Sequence, residues 1–91
     1  MKITDVREMA LQRHEREQGC LAKYDIVLDD QLLIHNIIVK MVYNKVIVEY
    51  PSYRTTDGWK NYCRPVTKGF GEYIKAKVLD YYEESKRNAS Y

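Results

Sequence analysis

Residues 20–28 read CLAKYDIVL, with Cys20, Ala22, Tyr24, Ile26 and Leu28 at every second position and Lys23 and Asp25 between them. Successive side chains of a strand point to opposite sides of the pleat, so this alternation predicts a strand with one buried face. Asp29-Asp30 predicts a tight turn, since Asp tolerates left-handed backbone and bonds neighbouring amides. Residues 31–42 are rich in Leu, Ile and Val and predict a long strand. Tyr43-Asn44-Lys45 gives the next turn, and residues 46–50 another strand. Ahead of these, residues 1–7 (MKITDVR) predict a short first strand. Residues 8–19 are dense in charge, with only Met9, Ala10 and Leu11 as an apolar stripe, and read as a long connection closed by Gly19.

The pattern changes at Pro51, which has no amide hydrogen to give a ladder and so ends the strand. Asp57-Gly58 marks a turn in the loop 52–60, and residues 61–66 fit a short edge strand closed by Pro65. Thr67 is a good N-cap. Beyond it, Phe70, Tyr73, Ile74, Val78 and Tyr81 recur at helical spacing and predict a helix over about 68–87 with one apolar face. Lys77 falls at the rim of that face, while Lys68, Lys75 and Lys86 share a solvated side. Residues 88–91 read as a frayed tail behind a single domain over 1–87. Strands first and a helix last predict an α+β fold, a twisted antiparallel meander of four to five strands with one C-terminal helix packed on it.

Composition narrows the class. Ninety-one residues hold one core of marginal size, and 45% hydrophobic with 31% charged residues is the make-up of a folded chain. Cys20 and Cys63 have no CxxC spacing, so neither a metal site, a redox motif nor a cofactor is expected. Reduced thiols, no secretory leader pattern and no apolar run long enough for a bilayer predict a cytoplasmic protein without a membrane partner. The net charge of +2 is uneven: residues 1–53 carry −1 and residues 54–91 carry +3.

The basic excess centres on residues 52–68, where Arg54, Lys60, Arg64 and Lys68 face a single acid, Asp57, and are interleaved with Tyr53, Trp59 and Tyr62. Cations in such a segment neutralise phosphates and release counterions. Arg can fork onto a guanine edge, and the hydroxyls of Thr55 and Thr56 can reach phosphates or bases. Tyr53 and Trp59 can stack on unpaired bases. The plain alternative is a solvated loop with Trp59 folded onto the sheet. His35 reads as a hydrogen-bonded, half-buried residue on the face of Leu33 and Ile37. Asp29-Asp30 is turn chemistry, with too few oxygens for a hard cation. No nucleophile elbow, phosphate-cradling Gly-rich loop or HExxH occurs, so neither enzymatic activity nor a small-molecule substrate is expected.

Four blocks, in order, resemble the stage V sporulation protein G (septation regulator) family: MKITDVR at 1–7, LDDQLLIHNIIV at 28–39, YPSYRTTDGWKNYCRPV at 50–66 and VLDYYEE at 78–84. The chain departs from that pattern at Tyr53, where a basic residue is usual, at Arg64, which replaces a His, at Lys77, and in a longer 8–19 connection. The resemblance implies a twisted sheet with a C-terminal helix, a homodimer, and site-selective DNA binding with RNA binding in some members. It also implies roles in sporulation, septation and virulence gene control. The expectation is a homodimeric regulator of duplex DNA or structured RNA, acting through Arg54, Lys60 and Arg64. The rival is a protein-interaction module in cell division or regulation, whose tyrosine-rich sheet and Trp59 loop engage another protein.

Overall fold

Two tight turns organise the sheet. Asp29 and Asp30 (φ 52° and 55°) and Tyr43 and Asn44 (φ 48° and 64°) each put two consecutive residues in the left-handed region. That backbone joins antiparallel strands without splaying them. In the computed structural model, which describes residues 1–88, the turns link β2 (Cys20–Leu28), β3 (Leu32–Val42) and β4 (Lys45–Glu49). With β1 (Ile3–Met9) on the far side of β2, the antiparallel sheet has the order β1-β2-β3-β4. The first turn also anchors the chain start: Lys2 N–H donates to Asp29 Oδ1 at 2.7 Å and Asp30 N–H to Thr4 Oγ1 at 2.9 Å.

One face of the sheet forms the core. Ala22, Tyr24, Ile26, Leu28, Ile37 and Val39 are buried there against Ile74 and Val78 of the helix α2 (Lys68–Asn88). Thr67 caps α2 as expected, its Oγ1 accepting the Phe70 N–H at 3.3 Å. Ile3 N–H donates to Tyr73 Oη at 3.0 Å, and the Tyr24 ring meets Tyr81 edge-on at 5.3 Å. Burial there pushes the Tyr24 phenol up to about 12. The fold is α+β, as the element order predicts. No described helix is long and apolar enough to cross a membrane.

Several expectations need correction. The segment 8–19 is not a bare connection: β1 runs to Met9, and Arg13–Glu17 form a one-turn helix, α1. Glu15 holds it, accepting the Gln12 N–H at 2.9 Å and pairing with Lys23 Nζ at 3.0 Å. Gly19, at φ 93°, does close the segment. Strand alternation is broken by register shifts between Cys20 and Ala22 and between Tyr24 and Ile26. An extra residue reverses which way later side chains point. Cys20 therefore pairs across from Lys40 on the second face rather than joining Ala22 in the core. For the same reason His35 does not share a face with Ile37: the bulge at Asn36 (φ 64°) lies between them, and the His35 side chain is 66% exposed.

Further along, the loop 52–60 with a strand at 61–66 is replaced by a separate two-stranded hairpin, β5 (Ser52–Thr55) and β6 (Gly58–Asn61). Lys77 is exposed rather than at the packed rim, its Nζ 6.0 Å from the centre of the Tyr73 ring one helical turn back. Of the expected tail, Asn88 ends α2, and residues 89–91 lie outside the described residues.

Candidate nucleic-acid interface

The hairpin is built from its turn. Thr55 pairs with Gly58, leaving Thr56-Asp57 as a two-residue loop. Gly58 sits at φ 116°, where a side chain would be strained. Thr55 Oγ1 donates to the Gly58 carbonyl at 2.8 Å and accepts the Asp57 N–H at 3.2 Å. Its hydroxyl is thus spent on the turn, whereas Thr56 is exposed at the tip. At the base, Tyr62 N–H donates to the Pro51 carbonyl at 2.8 Å, extending the pairing by one step.

Residues directly opposite in a ladder share a face. Tyr53 stands opposite Lys60, and Arg54 opposite Trp59, so each face of the hairpin carries one cation and one aromatic. The Tyr53 ring lies 4.7 Å from that of Tyr62, tilted by 45°. Trp59 is 69% exposed and so does not fold onto the sheet; Tyr62 is 72% exposed. The structure therefore gathers Tyr53, Arg54, Trp59 and Lys60 on one ribbon but divides them between its two faces. Arg64 lies in the connection after β6, and Lys68 opens α2. All four cations are exposed, and none makes an ion pair with a described residue.

The Arg54–Trp59 face borders a half-open cleft of about 810 Å³ against the second face of the sheet, with Trp59 and Asn61 on one wall and Ile38 and Lys40 on the other. Gln18 and His14 reach it from the α1 segment. This cleft was hidden in the sequence because its walls are more than thirty residues apart along the chain in places, and only the fold of the hairpin apposes them. Glu49 also lines it, 3.8 Å from Lys40 Nζ. Burial pushes both thiols, Cys20 and Cys63, above the ordinary cysteine range, which disfavours the nucleophilic thiolate. Among the described residues no group of three His, Cys, Asp or Glu side chains is placed to hold a metal ion.

A second polar cluster sits on the same face of the sheet. Asp25, 8% exposed at its side chain, binds His35 Nδ1 through Oδ2 at 2.8 Å and accepts the Asn36 N–H through Oδ1 at 3.3 Å. It fastens the β3 bulge and contains no reactive constellation. The alternation that places Asp25 off the core face was readable; its partner was not, because the bulge that presents the Asn36 amide leaves no mark in the spacing.

The SpoVG family model matches residues 1–84. Similar proteins, each named a septation protein SpoVG, include one from Caldanaerobacter subterraneus subsp. tengcongensis, 29% identical over 91 residues, with 99% of this chain and 97% of the relative covered. One from Clostridium perfringens is 31% identical over 87 residues, covering 94% and 93%. One from Oceanobacillus iheyensis is 34% identical over 86 residues, covering 93% and 86%.

Proposed function

Because the chain belongs to the SpoVG family, we propose that it is a homodimeric, cytoplasmic nucleic-acid-binding regulator of septation- or sporulation-type gene control, binding through residues 52–68. The observation that carries the reading is the β5–β6 hairpin, a ribbon separate from the main sheet with a cation–aromatic pair on each face. Arg64 and Lys68 extend its charge, and Asp57 is the only acid in the segment. Free, exposed cations suit phosphates, since no partner has to be displaced. The reading assigns the protein no catalytic activity. A dimer is supported by the two outer strands, β1 and β4, whose open edges favour pairing with another copy, and it would double the cation set.

The test is binding to labelled DNA and RNA fragments at low and moderate salt, with Arg54→Ala alongside. Four neutralised phosphates per protomer give the dimer a slope of log affinity against log salt of about −7.2 on duplex, and Arg54→Ala, which removes one cation from each protomer, should lower its magnitude by about 1.8. Absence of binding at low salt, with the chain folded, would sink the proposal. The exposure of Tyr53, Trp59 and Tyr62 favours a second reading, a protein-interaction surface, which predicts affinity insensitive to salt and to Arg54.

A further inference from the structure

We infer that the preferred nucleic acid is an unpaired strand, with a base stacked on Trp59 inside the cleft between the hairpin and the second face of the sheet. This rests on the reading that residues 52–68 bind nucleic acid. In a duplex the faces of the bases are covered by their neighbours, so a protein meets only base edges and phosphates. Exposed aromatic rings add little there. On a single strand every base offers a free face, and stacking on aromatic side chains becomes a main source of affinity. Within ten residues this chain exposes three such rings, Tyr53, Trp59 and Tyr62, beside free cations. That combination of charge and aromatic surface matches a strand whose bases are splayed and whose phosphates remain accessible.

The cleft adds a size argument. At about 810 Å³ it falls in the range of pockets that enclose small organic molecules, and it is half-open. It suits one or two unpaired nucleotides rather than a double helix. Trp59 supplies a stacking plane, Ile38 an apolar opposing wall, and the amides of Asn61 and Gln18 donors and acceptors for a base edge. Two carboxylates line the cleft, Glu49 at 3.8 Å from Lys40 Nζ and Glu15 at 3.0 Å from Lys23 Nζ, so each is paired with a cation and the interior is close to neutral. A neutral base belongs inside, with the phosphates running outside along Arg54, which shares the Trp59 face of the hairpin.

Trp59 is the sole tryptophan, so its emission reports directly on its own stacking. The full chain is titrated with short oligo(dT), short oligo(rU) and a mixed-sequence duplex of equal length. Affinity is measured in parallel by anisotropy of the labelled strands, for wild type, Trp59→Phe and Trp59→Ala. The two single strands should quench the emission and bind at least tenfold tighter than the duplex, and comparing them ranks DNA against RNA. Trp59→Ala should lose about tenfold on single strands, about 1.4 kcal/mol, with no change on duplex, while Trp59→Phe should retain most of the affinity. Circular dichroism confirms that the variants fold, as expected for so exposed a residue. Salt-sensitive duplex binding that is lost with Arg54→Ala but never quenches Trp59 would overturn this inference and leave the nucleic-acid reading standing. Binding of none of the probes at low salt would overturn both.

Discussion

Asp25 offers a sharp test of how the sheet holds its shape. Asp25→Ala removes the acceptor of the Asn36 N–H in the β3 bulge, at 3.3 Å, and of His35 Nδ1, at 2.8 Å. A bulge residue has no regular ladder partner, so the carboxylate stands in for one. Leaving a buried donor unsatisfied costs about 1–3 kcal/mol; this amide is only partly buried, which favours the lower half of that range. The His35 ring is mostly exposed, and an exposed pair of this kind contributes about 0–1 kcal/mol. Relief of the buried carboxylate's desolvation offsets part of the loss. The net expectation is a destabilisation of about 1.5 kcal/mol for Asp25→Ala, within the range set by the lost hydrogen bonds. For a domain of this size it lowers the melting temperature by about 6–12 °C. His35→Ala, which leaves the Asn36 bond intact, should cost below about 1 kcal/mol. Urea unfolding followed by circular dichroism, at one protein concentration, measures both variants. An Asp25→Ala loss under about 0.5 kcal/mol, or a His35→Ala loss of equal size, would refute the idea that the backbone bond is what fastens the bulge.

Two further perturbations probe the core and α1. Ile74→Ala should cost about 3 kcal/mol, combining about 0.8 kcal/mol per lost carbon with the cavity left beneath α2; Ile74 is only 2% exposed, and exposed Lys75→Ala should change stability by less than about 0.5 kcal/mol in the same urea assay. Glu15 is held below the ordinary carboxylate range, first by the Gln12 amide and then by Lys23. A depressed folded value means that its contribution is complete above the ordinary Glu range and is lost as pH falls through the lowered value. Glu15→Gln should therefore flatten the acid side of the stability–pH curve, and an unchanged curve would show that α1 is not secured through this carboxylate.

The sequence by itself determined the elements whose evidence is local. Period-2 alternation from Ala22 to Leu28, the Asp29-Asp30 and Tyr43-Asn44 turns, the Thr67 cap and the helical spacing from Phe70 to Tyr81 all depend on residues a few positions apart, and each is observed. The family was legible in the same way, as ordered blocks of residues, and the segment 52–68 stood out by charge. What only the tertiary structure decided turns on register and apposition. One extra residue at a bulge sends Cys20 away from the core and separates His35 from Ile37, and composition does not register an insertion of that kind. The short helix α1 combines a local bond, from the Gln12 amide to Glu15, with a tertiary one, from Lys23 of β2 to the same carboxylate, and only the second is invisible in the segment itself. Likewise, pairing of β5 with β6 sorts the cations and aromatics of one stretch onto two opposite faces and sets Trp59 across a cleft from Ile38 and Lys40. Those contacts join residues distant in the chain, and the free energy that selects them comes from burial and hydrogen bonding in the whole fold rather than from any single segment.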